Sequence, residues 1–291
     1  MKKKMKSKIA IGIALVVFLS GCGKSGDTPP EQVKTDLSVL NVSLEGNALT
    51  SGELGVFLGS DNGYTARNNV KYTFGNPWSS ANPVELGSAI PSLCAYYPYN
   101  ASLSDATAVP LTSQKYSTAA DLCYGRISSE TRATTSFSLN LKHAYAQMTL
   151  TISRDAGYTG TCAISGVSLS NAGLNASASL NMFTDVYQPA TGVVAFNPQI
   201  SGIDSGKSST VTALLVPVST AMSGNLVITL TVDGVPMSTS VDTATSGLSL
   251  LQAGKNYQGT LNIQGVSARL NKVSTADWNV LEVSNQVDMR K

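Results

Sequence analysis

The sequence predicts an all-β protein made of two antiparallel β-sandwiches, and three observations carry that reading. Apolar residues recur with period two in segment after segment. Turn-forming Gly, Asn and Asp punctuate those segments, and no stretch shows the 3.6-residue periodicity of a long amphipathic helix. Short strands joined by turns, with no helices between them, pair with their sequence neighbours and stack as sandwiches.

The chain opens on Lys2, Lys3, Lys4, Lys6 and Lys8, followed by an apolar run from Ile9 to Leu19 interrupted by Gly12. A basic head before an apolar run too short to span a bilayer is the pattern of a secretory signal. The run ends in Leu19-Ser20-Gly21-Cys22, which resembles the bacterial lipobox, whose cysteine receives diacylglycerol before cleavage. Residues 1–21 are therefore expected to be removed and Cys22 to become the lipidated N-terminus, held in a membrane by acyl chains worth about 0.8 kcal/mol per buried methylene. Residues 22–36, with Pro29-Pro30, read as a solvated tether.

Cleavage removes five lysines and no acid, so the mature 270 residues carry 15 Lys+Arg against 18 Asp+Glu, about −3. No basic stripe is left for nucleic acid. Low charge with abundant Ser, Thr, Asn and Gly fits an exported β-rich surface protein, and the length allows one or two domains, two being favoured.

Alternation is clearest in Met148, Leu150 and Ile152; in Leu226, Ile228, Leu230 and Val232; and in Tyr257, Leu261 and Ile263, each set interleaved with hydroxyls or amides. These are half-buried strands. Val211–Val218 is almost continuously apolar, as in a strand covered on both faces, with Pro217 pushing it towards an edge or bulge. Turns are expected at Asp61-Asn62-Gly63, Gly75-Asn76-Pro77, Asp155-Ala156-Gly157, Ser223-Gly224-Asn225 and Asp233-Gly234. Apolar side chains occupy odd positions at Phe137, Leu139 and Leu141, then even ones from Ala144 to Ile152. A strand changes faces only by inserting a residue, so the chain must bulge or bend near Lys142-His143, as it would when passing between two sheets.

Candidate chemistry is sparse. Beyond Cys22 the cysteines are Cys94, Cys123 and Cys162, with no Cys-x-x-Cys spacing. Export permits a disulfide, for which Cys94 and Cys123, the closest in sequence, are the expected pair; three buried thiols acting as small apolar groups are the alternative. The single histidine, His143, lies within a strand pattern and reads as a packed core residue rather than a catalytic base. Scattered carboxylates give it no evident company for a metal, and no paired acids, nucleophile elbow or phosphate loop indicate an enzyme. No cofactor is expected. Tyr96-Tyr97-Pro98-Tyr99, with Trp78, Tyr116 and Tyr124, is either a platform for stacking sugars or a set of rings packed between sheets.

Leu141-Lys142-His143-Ala144-Tyr145-Ala146-Gln147-Met148-Thr149-Leu150-Thr151-Ile152 resembles the central strand motif of the fimbrillins, the lipoprotein subunits of type V pili of Bacteroidetes. Leu54-Gly55-Val56-Phe57, Ala95-Tyr96-Tyr97-Pro98-Tyr99, Ala253-Gly254-Lys255-Asn256-Tyr257 and Trp278 follow the family's order. The resemblance implies two transthyretin-like sandwiches, placed at residues 37–155 and 156–291. It also implies an outer-membrane, lipid-anchored precursor that joins other fimbrial subunits, in a homo- or hetero-polymer, when a protease removes the first strand and a neighbour's strand replaces it. The sequence departs from that pattern between Leu37 and Leu58, which contains no Arg or Lys; Arg67 is the first basic residue after the first strand. The expected function is a structural or accessory fimbrial subunit, with a monomeric surface lipoprotein binding glycan or host protein as the alternative. By this reading the first strand stays in place, with Val42 and Leu44 facing the core, and the polymer contact falls to the second sandwich and its tail, Leu281–Val287.

Overall fold

The structure, a computed structural model, describes residues 34–127, 136–265 and 267–278. Cys22, residues 22–33 of the expected tether and the tail Leu281–Val287 lie outside the described residues; the tether's last residues are not free linker, because Thr35–Asp36 is a short exposed strand paired antiparallel with Glu85–Leu86. The described chain is all-β. Its one helix is the four-residue turn Thr243–Ser246, capped by Asp242, whose carboxylate accepts from the Ala244 amide at 3.0 Å.

In the first half, Ser38–Leu44, Glu53–Leu58, Arg67–Phe74, Leu93–Tyr97, Cys123–Ile127 and Ser136–His143, with the short Asn47–Ala48 and Trp78–Ser79, form one eight-stranded sheet. The sheet closes on itself. Ser38–Leu44 runs parallel to Ser136–His143 and meets Trp78 through Val39. A register shift sets Val39 opposite Phe137 but Asn41 opposite Ser138. This bulge brings Leu37 and Val39, on odd numbers, and Val42 and Leu44, on even ones, into the same core with Leu54, Val56 and Leu141. The strand then turns through Glu45-Gly46, both at positive φ (47° and 84°), into Asn47–Ala48. That is the two-residue geometry that matches strand twist, and it favours Gly at the second position.

In the second half, a sheet ordered Gln114–Lys115, Ser208–Leu215, Ala146–Arg154, Lys255–Gln264, Ser267–Asp277 shares a core with another ordered Val194–Phe196, Ile164–Ser170, Asn225–Val232, Val235–Asp242. The three alternating segments read from the sequence bury Met148, Leu150, Ile152, Leu226, Ile228, Leu230, Val232, Tyr257, Leu261 and Ile263 in that core. Of the run expected to be covered on both faces, Val211–Val218, the end of the strand Ser208–Leu215 is so covered: Val211, Ala213 and Leu215 enter this core and Leu214 another, whereas Ser208 and Thr210 are exposed and the strand ends before Pro217.

The parity change marks the passage between halves. Ser136–His143 ends in a bend at Ala144-Tyr145, and Ala146–Arg154 begins in a different sheet. Leu139 and Leu141 therefore fill the first core, Ala144 and Tyr145 a third, and Met148 onward the second. That third core, with Phe57, Tyr96, Leu111, Leu180, Leu214 and Trp278, lies where the halves meet. Segments cross the meeting line as well: Val109–Thr112 pairs with Asn175–Asn181, and Gln114–Lys115 with Ser208–Leu215.

Two expectations require correction. Pairing is not wholly antiparallel, because Ser38–Leu44 with Ser136–His143 and Ala146–Arg154 with Lys255–Gln264 are parallel. Both pairs join strands about a hundred residues apart, and the long connection frees them from hairpin geometry. The Cys94–Cys123 disulfide is not made: all three described thiols are free and buried. The strands carrying Cys94 and Cys123 do pair, but Cys94 sits opposite Arg126 and Cys123 opposite Tyr97. Three residues of offset put the two side chains on opposite faces, one in each of two cores.

Candidate functional site

Two places gather the residues singled out by sequence: the first strand in its groove, and the surroundings of His143. The first strand is held by more than its ladder. The Leu37 amide donates to Val84 O at 2.6 Å, and the Tyr72 hydroxyl accepts from the Val84 amide at 3.0 Å while donating to Leu37 O at 3.4 Å. Burial pushes the Tyr72 phenol above its ordinary pKa, so it stays a neutral linker. Arg67 opens the strand Arg67–Phe74, pairs with Leu58 across a register shift, and donates from Nη2 to Asn82 O at 3.2 Å. A protease cutting after it would have to peel back a paired strand end.

The aromatic cluster is packed rather than displayed. Tyr96, Tyr124 and Trp78 are buried and Tyr97, Tyr99 and Tyr116 half-buried. The Tyr96 hydroxyl donates to Asn69 Oδ1 at 2.7 Å and accepts from the Asn100 amide at 3.0 Å. The alternative of rings packed between sheets therefore holds for this set.

His143 is the pivot of a buried group. It is the direct cross-strand partner of Cys123, and Asp121, two residues before Cys123, presents its side chain to the same place. His143 Nδ1 lies 3.0 Å from Asp121 Oδ1 and 3.4 Å from Cys123 Sγ; the thiol lies 4.0 Å from that same oxygen. Trp278 stacks on the imidazole with centroids 3.7 Å apart and planes 8° from parallel. His143 Nε2 is buried without a hydrogen-bond partner among the described residues. The expectation that His143 lacks the company of possible ligands is corrected. Sequence reasoning missed Asp121, because an aspartate two residues before the strand that Cys123 opens and a histidine twenty residues on form no recognisable spacing until the strands pair.

The geometry is not that of a nucleophilic centre. A Cys–His–Asp relay needs the thiol on one ring nitrogen and the carboxylate on the other, whereas both face Nδ1 here. Burial, then the negative charges of Asp121 and Glu45, push the Cys123 thiol well above its ordinary pKa, and the thiolate that attack requires is disfavoured.

The described chain is thus an all-β protein whose halves are interlocked by short strands that pair across them. The chain belongs to the fimbrillin-like family, whose profile matches residues 45–278. Similar solved structures include a candidate cell adhesion protein from Bacteroides uniformis (TM-score 0.61, 17% identity, covering 84% of this chain and 99% of that one). Another from Bacteroides ovatus gives a TM-score of 0.59 at 14% identity, covering 86% and 99%. The tip fimbrial protein Mfa3 from Porphyromonas gingivalis, with C-terminal truncation, gives 0.48 at 11%, covering 84% and 100%. At these identities the first two establish a shared fold. No curated protein matches the sequence.

Proposed function

We propose that this chain is a structural or accessory subunit of a cell-surface fimbria, exported as a precursor lipidated at Cys22, carried to the outer membrane, and joined to other fimbrial subunits by β-strand addition. The observation that carries the reading is membership of the fimbrillin-like family over residues 45–278, a family of structural fimbrial subunits. The names of the similar structures, which concern adhesion and fimbriae, agree with it. Two sandwiches, at residues 37–155 and 156–291, remain our proposal; the chain passes from one sheet to another earlier than that boundary, at the bend Ala144-Tyr145.

The fate of the first strand follows from its seat. Leu37, Val39, Val42 and Leu44 are all buried. At about 1.5–3 kcal/mol each they contribute roughly 6–12 kcal/mol gross, before the entropy of ordering the strand. From Thr35 to Ala66 the sequence holds no Arg or Lys, so the first trypsin-like cut after this strand falls at Arg67, inside the paired strand just described. We therefore propose that the subunit keeps its own first strand, and that its polymer contact is made by the second sandwich and residues 281–291. Such contacts form when an extended segment satisfies the backbone groups of an exposed strand edge.

N-terminal sequencing of the protein recovered from sheared cell-surface filaments tests both parts. A lipid-blocked N-terminus, with peptides covering residues 34–66 in the polymer, is expected. Protein beginning at Asn68 shows processing after Arg67 and ends the retained-strand proposal. Absence of the chain from filaments ends the fimbrial one.

A further inference from the structure

We propose that Asp121, Cys123 and His143 form a binding site for a single borderline-soft divalent cation of the zinc class, at the junction of the two halves. The inference is independent of the fimbrial reading, since it rests on side-chain geometry alone.

The donor set is one thiol sulfur, one imidazole nitrogen and one carboxylate oxygen, the three ligand types that zinc takes. Zinc bonds of about 2.0–2.3 Å at tetrahedral angles place ligand atoms roughly 3.3–3.6 Å apart. The three separations here, 3.0, 3.4 and 4.0 Å, surround that range, so shifts of a few tenths of an ångström complete three corners of a tetrahedron. All three residues are buried. Cys123 and His143 are ladder partners, so the paired backbone fixes their spacing in advance, and Asp121 joins them from two residues before the strand.

The electrostatics favour a cation. Besides Asp121, the charged group that acts on the Cys123 thiol is a second carboxylate, Glu45. A divalent ion entering here displaces the thiol proton, which passes to solvent, and forms bonds to Sγ, Nδ1 and Oδ1 in place of the Nδ1–Asp121 contact, the neutral imidazole keeping its single proton on Nε2. Trp278, stacked on the imidazole, holds the ring plane by packing. An ion bound there would tie the entry to Cys123–Ile127 to the end of Ser136–His143, where the Trp278 ring stacks on His143.

Mature full-length protein, stripped with chelator under reducing conditions, would be titrated with Co2+ as the spectroscopic probe. One ion per chain is expected, with a sulfur-to-cobalt charge-transfer band in the near ultraviolet, intense visible bands of a four-coordinate ion, and displacement of both by Zn2+. Cys123→Ser should lose the charge-transfer band, whereas Cys94→Ser and Cys162→Ser should keep it. Circular dichroism establishes that each variant is folded. Should Cys123→Ser fail to fold, protection of a single thiol from alkylation by Zn2+ in the unmutated protein, mapped to Cys123 by mass spectrometry, serves instead. No saturable Co2+ uptake by the unmutated protein, a band that survives in folded Cys123→Ser, or protection mapped to another cysteine would overturn the proposal.

Discussion

Asp233 does more for this fold than its place in a surface turn suggests. With Gly234 it makes the two-residue hairpin between Asn225–Val232 and Val235–Asp242, both residues at positive φ (48° and 81°). Its carboxylate also accepts from the Thr161 hydroxyl at 2.6 Å, the Tyr158 hydroxyl at 2.7 Å, and the Cys162 and Ala163 amides at 2.9 Å each. The Thr161 hydroxyl first, then these amides and Tyr158, hold the carboxyl far below the usual carboxylate range. Asp233→Ala should therefore cost about 1–2 kcal/mol at neutral pH, the scale of a lost capping group, measured by urea unfolding. A depressed carboxyl contributes stability that is present above its unfolded value, near 3.8, and lost as pH falls further. The gap between native protein and Asp233→Asn should be constant from pH 7 to about 5 and close as the pH drops below about 4; a gap that widens on acidification would contradict the assignment. At the same scale, the proposed lipidation at Cys22 requires that Cys22→Ser abolish incorporation of a fatty-acid probe, since only a thiol accepts the diacylglycerol.

At the scale of elements, the first strand carries the sharpest expectation. It lies between Ser136–His143 and Trp78, and its four inward side chains meet Leu54, Val56 and Leu141. A chain beginning at Gly46 lacks this strand and leaves unpaired backbone on Ser136–His143 as well as an apolar groove. Such a chain should unfold at markedly lower denaturant than the intact protein, and a synthetic peptide of residues 36–44 should restore most of the loss. Replacing Val42 and Leu44 by Asp in the peptide should remove the rescue, because both side chains are buried in the core. Rescue by the doubly charged peptide would mean that backbone pairing alone suffices. Leu141→Ala, on the facing strand and fully buried, should cost about 2–5 kcal/mol.

For the whole molecule, the question is whether the halves unfold together. The third core joins Phe57 and Tyr96 of the first closed sheet to Leu180, Leu214 and Trp278 of later strands, and two short strands pair across the meeting line. A transition shared by both halves is the expected result. The two tryptophans make this measurable, as Trp78 lies in the first core and Trp278 in the third. Trp78→Phe leaves Trp278 as reporter and Trp278→Phe leaves Trp78. In each variant the fluorescence midpoint should coincide with the far-ultraviolet one. Separate midpoints within one variant would show halves that unfold independently.

The sequence by itself determined what depends on near neighbours. Period-two alternation fixed which faces of Ala146–Arg154, Asn225–Val232 and Lys255–Gln264 are buried, Asp233-Gly234 fixed its hairpin, and the parity change at Lys142–Tyr145 announced the passage between sheets. The ordered motifs carried the family. What only the tertiary structure decided depends on partners far apart in the chain. Parallel pairing of the first strand with Ser136–His143, and the opposite faces of Cys94 and Cys123, follow from register across strands that no local pattern encodes. The meeting of Asp121, Cys123, His143 and Trp278 is of the same kind. A side chain's own sequence says whether it points in or out, but which side chains share that interior is settled by ladders and core packing that form together, once the closed sheet has brought distant strands side by side.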